Sequence, residues 1–275
     1  MSEAFHIISD GSCDLPPALA REKNITIVPF YVSFDEEHYL RENVEIDVRD
    51  FYQQMIDKKG VYPKSSMPSV SDYEEAFLPF AKEGIPVICI CITTKFSGSM
   101  QSALNARSMI LERLPHAEIT VIDATVNTVL QGQYVLEAAA LRDSGAGYRE
   151  TVARLEQIKS TGRIFFTVGN MEYLKHGGRI GKVAALAGGI LDIRPVITLK
   201  EGEIFPSGID RGRKRTLQKV MDLLLEYLRE SSLPIECYSL AVGYGYDLEE
   251  GAAFRDHALL TLKEKGFSID EIPVY

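Results

Sequence analysis

Pro86-Val87-Ile88-Cys89-Ile90-Cys91-Ile92 is an unbroken apolar run in the first half of the chain. A short run of this kind is typical of a strand buried in a parallel sheet. The hydroxyl-rich stretch Phe96-Ser97-Gly98-Ser99-Met100-Gln101-Ser102 follows it, and helix-like sequence then continues to Arg113. Strand-like and helix-like segments alternate on both sides of this unit. The sequence therefore predicts an α/β fold with a largely parallel sheet.

The predicted elements divide the chain into two closely packed domains, residues 1–161 and 162–275. In the first domain we predict strands at 5–9, 26–34, 87–92 and 118–123, and helices at 47–58, 98–113, 128–142 and 148–159. The helix after the loop at 60–70 is predicted to open with a capping box, Ser71-Asp72-Tyr73-Glu74. In the second domain we predict a hairpin turn at Lys200-Glu201-Gly202, a strand at 239–244, and helices at 216–229 and 248–265.

The composition is that of a globular protein, with 45% apolar and 25% charged residues. A formal net charge of −9 and a pI near 5.2 argue against nucleic acid or an anionic membrane surface as a general partner. No stretch approaches the roughly 18 apolar residues of a membrane span, and the first ten residues lack the pattern of a secretory signal. Cys89 and Cys91 are expected to be small buried side chains rather than metal ligands. Together these features predict a reducing, cytoplasmic location.

Two hydroxyl-rich segments are the main candidates for a binding site. They are Lys64-Ser65-Ser66-Met67-Pro68-Ser69 and the stretch from Phe96 to Ser102, and each is predicted to lie where a helix begins. A helix N-terminus carries free N–H groups and partial positive charge, so with serine hydroxyls it can bind an anion. Neither segment contains an Asp, Glu or His that could act as a base, which favours holding an anion over attacking a bond. The alternative is that these serines only cap helices.

The same segments resemble two motifs of the DegV family. Ser65-Ser66-Met67-Pro68-Ser69 resembles its Thr-Ser-x-Pro-Ser motif, and Ser97-Gly98-Ser99-Met100-Gln101-Ser102-Ala103 resembles its Ser-Gly-Thr-Tyr-x-Ser-Ala motif. Three further stretches fit the family in order along the chain: Ser9-Asp10-Gly11-Ser12-Cys13-Asp14-Leu15-Pro16, Leu174-Lys175-His176-Gly177-Gly178-Arg179-Ile180 and Ile193-Arg194-Pro195-Val196-Ile197. The resemblance implies a two-domain DegV-like fold, with an N-terminal Rossmann-like parallel-sheet domain and a C-terminal α/β domain that has a mixed sheet.

DegV proteins bind long-chain fatty acids, and several are the non-catalytic, acyl-carrying subunit of bacterial fatty acid kinase. The resemblance therefore implies a lipid-binding protein that is not itself an enzyme. It would hold a fatty acid such as palmitate between its domains and present the carboxylate to a separate kinase subunit. No cofactor is expected, and the acidic net charge argues against a nucleic acid partner. A transient membrane or acyltransferase contact is possible through the basic run at 211–215.

The site residues that the resemblance implies lie mostly in the two hydroxyl-rich segments, whose hydroxyls can donate to a carboxylate. The expected carboxylate-binding residues are Ser65, Ser97, Ser66, Gly98 and Ser99. The expected pocket or mouth residues are Met67, Phe96, Met100, Arg179 and Ile190. Arg179 either meets a phosphate at the pocket mouth or is a solvated side chain at the end of a glycine-rich helix. No residue is expected to be catalytic or to bind a metal.

The sequence departs from the family pattern at three places. Ser65 stands where the family usually has Thr, and Ser99-Met100 replaces Thr-Tyr. The sequence stops at Ile272-Pro273-Val274-Tyr275, where the family usually continues into a His-x-Gly-Pro-Gly tail whose His lies near the head group. No residue here matches that His. We therefore expect the head group to rely more heavily on the hydroxyls and on the helix terminus near Gly98.

Two enzyme classes are the alternative functions. The first is a small-molecule phosphotransferase resembling dihydroxyacetone kinase domains, whose fold is similar to that of DegV proteins. The chain has no G-x-x-x-x-G-K-[ST] loop and no well-placed His to carry a substrate, which disfavours that class. A serine hydrolase is disfavoured because G-x-S-x-G is absent. The basic run Arg211-Gly212-Arg213-Lys214-Arg215 is either a solvated helix start or a docking site for an acidic partner or lipid surface.

Overall fold

The computed structural model of the protein describes residues 5–169, 171–186 and 193–275. The chain divides into two compact units, unit 1 up to Gly162 and unit 2 from Arg163. The elements of unit 1 are β1 (His6–Asp10), α1 (Pro17–Glu22), β2 (Ile25–Val28), β3 (Tyr31–Ser33), β4 (Leu40–Arg41), α2 (Val48–Asp57), β5 (Lys64–Ser66), α3 (Val70–Glu83), β6 (Val87–Cys91), α4 (Ser99–Arg113), β7 (Ile119–Asp123), α5 (Thr128–Asp143) and α6 (Tyr148–Ile158). Those of unit 2 are β8 (Ile164–Thr167), α7 (Glu172–His176), β9 (Ile193–Lys200), β10 (Glu203–Arg211), α8 (Arg213–Glu230) and α9 (Leu248–Glu264).

Four parallel strands form the central sheet of unit 1, in the order β2-β1-β6-β7. The apolar run is β6, and all of its residues are buried, with Ile88 paired to Ile7 on one side and to Thr120 on the other. The prediction of a parallel α/β sheet with this run as a buried strand is confirmed. The chain leaves β1 toward β2 but later returns to the other side of β1 to form β6. The strand order therefore reverses between β1 and β6, which makes this place the switch point of the sheet. Ligands of parallel α/β proteins bind at a switch point, outside the carboxyl ends of the strands.

One face of this sheet packs against α3 and α4. The buried residues of this layer are Ile8, Val28, Tyr73, Phe77, Ala81, Val87, Cys89, Cys91, Ala103, Ala106, Ile110 and Ile119. Full burial of one large apolar side chain stabilises a fold by about 1.5–3 kcal/mol. The layer therefore holds the N-termini of α3 and α4, which carry the two hydroxyl-rich segments, against the sheet.

The strand predicted at 26–34 is wrong as a single element. β2 ends at Val28 within the parallel sheet, and β3 begins at Tyr31 within a separate antiparallel sheet of order β4-β3-β5. Pro29 lies between them, and a proline has no N–H to donate to a strand ladder. The second sheet pairs Val32 with Ser65, so the first hydroxyl-rich segment begins as a strand and not at a helix start.

The capping box of α3 lies two residues earlier than predicted. Ser69 is the N-cap, and its Oγ accepts a hydrogen bond from the Asp72 N–H at 3.2 Å. The Asp72 carboxylate in turn accepts from the Ser69 N–H at 2.7 Å. Ser69 with Asp72 and Ser71 with Glu74 both have the spacing of a capping box, a serine followed three residues later by an acid. The structure uses Ser69 with Asp72.

The strands of unit 2 form an antiparallel sheet of order β10-β9-β8. Strands β8, β9 and β10 pair antiparallel, and an isolated parallel bridge joins Val242 to Val274, so both directions of pairing occur in unit 2. The predicted hairpin turn is confirmed, because Glu201 and Gly202 have φ angles of 53° and 81°, as a two-residue turn of type I′ requires. The strand predicted at 239–244 is wrong: only an isolated bridge pairs Val242 with Val274.

Helices α8 and α9 cover unit 2, and their boundaries agree with the predicted helices to within a few residues. Their packed residues include Met221, Leu225, Leu228, Ala258 and Leu262. The structure also confirms the helices predicted in unit 1, whose boundaries agree to within a few residues, at 47–58, 98–113, 128–142 and 148–159. In the residues that the structure describes, no helix is both long enough and apolar enough to span a bilayer.

Candidate functional site

The two neighbouring strands β1 and β6 end at the switch point of the parallel sheet. Asp10 is the last residue of β1, and the β6–α4 loop (residues 92–98) follows β6 at the same edge. The loop contains Ser97 and Gly98, two of the predicted site residues. The sequence pattern of a buried strand followed by a hydroxyl-rich loop thus places these residues where ligands of parallel α/β domains bind.

Asp10 is fully buried and lies directly below the loop. Its Oδ1 accepts a hydrogen bond from Gln131 Nε2 at 2.9 Å and lies 2.8 Å from Ser12 Oγ, whose single proton is shared between Asp10 and Gln131 Oε1, 2.6 Å away. Its Oδ2 accepts from the Ile92 N–H at 3.0 Å and from Ser99 Oγ at 2.7 Å. Burial raises the pKa of Asp10, while these hydrogen bonds act in the opposite direction. Three donors and a share of the Ser12 proton therefore satisfy a carboxyl group that would otherwise be costly to bury.

Ser99 is fully buried at the first residue of α4. Its hydroxyl donates to Asp10 and also lies 2.6 Å from the Tyr73 hydroxyl of α3. Burial raises the pKa of Tyr73 well above its ordinary value, so this phenol keeps its proton. A hydroxyl that donates to Asp10 has no second proton for a ligand. Ser99 therefore connects the loop to the core beneath it.

Ser97 is half-buried and is arranged differently from Ser99. Its Oγ accepts a hydrogen bond from the Ser99 N–H at 3.2 Å. Because this bond uses only the oxygen, the hydroxyl proton of Ser97 can be donated to a ligand. The next residue, Gly98, is the exposed N-cap of the 15-residue helix α4 and supplies no side-chain cap. The loop therefore offers a hydroxyl donor beside a helix N-terminus, which favours an anion.

Ser65 and Ser66 are exposed neighbours on β5. Successive side chains of a strand point to opposite faces, so these two hydroxyls cannot both enter one site from the same direction. Ser66 pairs with Tyr31, whose hydroxyl donates to Asp72 of α3 at 2.9 Å. Across residues 5–169, 171–186 and 193–275, no hydrogen bond uses the Ser65 hydroxyl, which leaves it available to an external acceptor.

Met67 brings the two hydroxyl-rich segments together. Its Sδ lies 2.8 Å from the position that a Cβ on Gly98 would occupy, so the segment after β5 touches the N-cap of α4. Met67 is 44% exposed, Phe96 is half-buried, and Met100 packs partly against the core under α4. These three apolar side chains therefore accompany the hydroxyls of the two adjoining segments.

The remaining predicted residues belong to unit 2. Arg179 is exposed, and its guanidinium donates to the Gly177 carbonyl oxygen. Ile190 lies outside the described residues. In the basic run, Arg213 forms an ion pair with Glu250, which raises the pKa of Arg213, and Arg215 lies 3.9 Å from Asp210. Within the three described ranges, no group of three or more His, Cys, Asp or Glu side chains is arranged to hold a metal ion.

Asp10, Gln131 and Tyr73 were not predicted as parts of this site. Asp10 lies in one of the quoted stretches, directly after strand-like sequence, and its position at the carboxyl end of a strand was the one signal that could have indicated it. Gln131 and Tyr73 lie inside helices α5 and α3 and carry no motif. Their hydrogen bonds depend on packing between elements that are far apart in sequence.

The fold and the site define the class: an α/β protein with a parallel sheet and hydroxyl-bearing segments at its switch point. The chain belongs to the DegV family, whose model, described as "Uncharacterised protein, DegV family", matches residues 4–274. A DegV domain-containing protein of Clostridium perfringens is 32% identical over 247 residues, which cover 89% of this chain and 86% of that protein.

Two solved structures share the fold and are reported as binding fatty acids. One is a stearic acid-binding protein from Eubacterium ventriosum, with 42% identity, a TM-score of 0.90, and coverage of 94% of this chain and 88% of that one. The other is a DegV family protein from Thermus thermophilus, described for its fatty acid binding, with 27% identity and a TM-score of 0.84. It covers 100% of this chain and 92% of that one.

Proposed function

We propose that this protein binds a long-chain fatty acid, such as palmitate or stearate, and holds its carboxylate against Ser65 and Ser97. The observation that carries the proposal is that two adjoining segments each present a serine whose hydroxyl proton is available to an outside acceptor. A similar protein at 42% identity binds stearic acid, and this supports the same class of ligand.

The head group and the tail of a fatty acid contribute unequally to the binding free energy. A hydrogen bond to a charged group contributes about 1.5–3 kcal/mol net. Burial of an acyl chain at about 0.8 kcal/mol per CH₂ contributes on the order of 11 kcal/mol for roughly 14 methylenes, before the costs of binding. The tail therefore determines most of the affinity. The hydroxyls determine which end of the molecule reaches the switch point.

The other predicted site residues take supporting roles in this proposal. Gly98 has no Cβ, so the head group can approach the N-terminus of α4 closely. Ser99 holds the loop through Asp10, and Ser66 contributes through the backbone of β5. Met67, Phe96 and Met100 form the apolar surroundings of the first methylenes. For Arg179 and Ile190, a position at the pocket mouth stays a prediction.

The wider biological role is also proposed. We propose a non-catalytic lipid-binding protein of the cytoplasm that presents the fatty acid carboxylate to a separate kinase subunit. Neutral hydroxyl donors suit such presentation, because no fixed counter-ion loses its partner when the carboxylate is phosphorylated. The cytoplasmic location is supported by the four cysteines, all free thiols, three of which are buried. A transient contact with a membrane or an acyltransferase would load the ligand.

The direct test is a titration of delipidated protein with palmitic acid, comparing the wild type with the double variant Ser65→Ala/Ser97→Ala. The double variant should bind about 2–5 kcal/mol more weakly, because two hydrogen bonds to a carboxylate are removed. Ser108→Ala is the matched control, since Ser108 lies on α4 and its hydroxyl donates to the Leu104 carbonyl oxygen. Equal affinity of the double variant and the wild type, with both folded, would rule out this head-group site.

A further inference from the structure

A single carboxylate oxygen holds both ends of the β6–α4 loop. Asp10 Oδ2 accepts from the N–H of Ile92, the first residue after β6. It also accepts from the hydroxyl of Ser99, the first residue of α4. Ser97 lies between these two anchors, and its Oγ accepts from the Ser99 N–H. The position of the proposed ligand donor is thus tied to Asp10 through the residue that Asp10 holds.

The second oxygen of Asp10 fixes the plane of the carboxylate. Oδ1 accepts from the amide nitrogen of Gln131, which is fully buried, and Ser12 Oγ lies within hydrogen-bond distance of both Asp10 Oδ1 and Gln131 Oε1. The Gln131 amide nitrogen also lies 3.1 Å from Ser9 Oγ, and Ser9 donates to the Ile90 carbonyl oxygen at 2.9 Å. These contacts come from β1, the turn after it, α5 and β6. The carboxylate is therefore oriented from several directions at once.

Chemistry explains why a carboxylate is needed at this position. The Ile92 N–H and the Gln131 amide nitrogen can only donate, and they point to different oxygens of Asp10. Both oxygens must therefore accept. An asparagine has the same shape but only one acceptor oxygen, so its NH₂ group would face one of these two donors. A buried donor left without an acceptor is costly, so the Gln131 amide would have to turn over and change its bond with Ser12, or the loop or α5 would have to move.

The direction of the hydroxyl protons follows from the same carboxylate. With Asp10 as the acceptor, the Ser99 hydroxyl donates to it, and Tyr73 can donate to Ser99 in turn. This order commits the Ser99 proton to the protein interior. It also distinguishes two serines that are two residues apart: Ser99, whose proton is used inside the protein, and Ser97, whose proton is available to the proposed ligand. Neither Asp10 nor Tyr73 is placed in contact with a ligand by this arrangement.

We infer that Asp10 is a positioning residue for the carboxylate site, which acts by holding the β6–α4 loop so that Ser97 meets the head group. This inference rests on the proposed fatty acid function. It predicts that the loss of Asp10 weakens recognition of the carboxylate but leaves the binding of the apolar chain largely intact. If a residue served only the stability of the fold, its loss would weaken binding of the carboxylate and binding of the apolar chain to the same extent.

The test compares palmitic acid with 1-hexadecanol, which has the same chain length but no charge, on wild-type protein and on Asp10→Asn. The variant should lose about tenfold or more in affinity for palmitic acid and less than about threefold for hexadecanol. Tyr73→Phe is the matched control for the buried network, because it removes a hydroxyl that bonds to Ser99 but leaves every donor to Asp10 in place. It should keep the wild-type preference for the acid.

Three results would separate the possible failures. An unchanged or increased preference for the acid in Asp10→Asn would overturn the inference, as would an equal loss for both ligands. A wild-type protein that binds neither ligand would instead overturn the proposed function. If Asp10→Asn does not fold, Ser99→Ala removes one anchor of the loop and leaves the buried carboxylate in place. That variant should shift the acid preference in the same direction, and an unchanged preference there would overturn the inference.

Discussion

The two hydroxyl-rich segments of unit 1 share a composition but are held in different ways. The β6–α4 loop is fixed at both ends by a buried carboxylate and lies on the main core. The segment at 64–69 begins on a strand at the edge of a small antiparallel sheet, where Ser65 and Ser66 are exposed. One serine donor is therefore preorganised, while the other is carried by a lightly buried element.

This difference indicates a division of tasks within the proposed site. A preorganised donor costs little ordering entropy when the ligand binds, so it can fix the position of the head group. A donor on a surface sheet is less constrained and can adjust when a ligand enters or leaves. The contact between Met67 and Gly98 is where the constrained segment meets the adjustable one.

Gly98→Ala is the strongest way to disturb this contact. The φ angle of Gly98 is −82°, which alanine adopts readily, so the effect is steric. The new Cβ would lie 2.8 Å from Met67 Sδ, and Met67 would have to move. Met67 is a flexible side chain that is 44% exposed, so it can move at little cost to stability. Because the contact between the two segments then changes, we expect palmitic acid affinity to fall by roughly two- to five-fold, or about 0.4–1 kcal/mol.

A second substitution makes this prediction specific. Met67→Ala removes the side chain that the new Cβ meets, so Gly98→Ala should cost much less in a Met67→Ala background. The measurement is a double-mutant cycle of palmitic acid affinities. The same loss in both backgrounds would show that Gly98→Ala acts on the terminus of α4 itself and that the contact between the segments is unimportant.

Ser69→Ala separates a capping serine from a ligand-binding serine, and we expect an effect that is confined to stability. Ser69 is the N-cap of α3, and its loss should reduce the free energy of unfolding by about 1 kcal/mol. Its hydroxyl already bonds to Asp72, so the affinity for palmitic acid should change little. Urea unfolding and ligand titration measure the two effects. A large loss of affinity without a loss of stability would place Ser69, rather than Ser65, in the site.

The parallel sheet and most helices could be predicted because their signals are local. The β6 run and the helices at 98–113 and 248–265 each carry their own pattern of apolar residues. The path of the chain at Pro29 could not be predicted in the same way. Residues 26–34 have a continuous preference for strand, and only the tertiary pairing of β3 with β5 shows that they belong to two sheets.

The hydroxyls of the candidate site could be predicted, but the group beneath them could not. Ser65 and Ser97 lie in recognisable segments. The contacts of Asp10 join residues 82, 89 and 121 positions apart in sequence. A sequence does not show which of its acids is surrounded by donors, because that depends on how the strands and helices pack. The division between the inner Ser99 and the outer Ser97 depends on the same packing.

The most direct test of the central claim is native mass spectrometry of the protein purified from a bacterial host. We expect an added mass equal to one long-chain fatty acid, which is lost on delipidation and restored on incubation with palmitic acid. Collisional release should identify the ligand as a free fatty acid of about 16–18 carbons, whose chain supplies the apolar burial argued above. Protein that carries no such mass, and takes up none after incubation, would contradict the account.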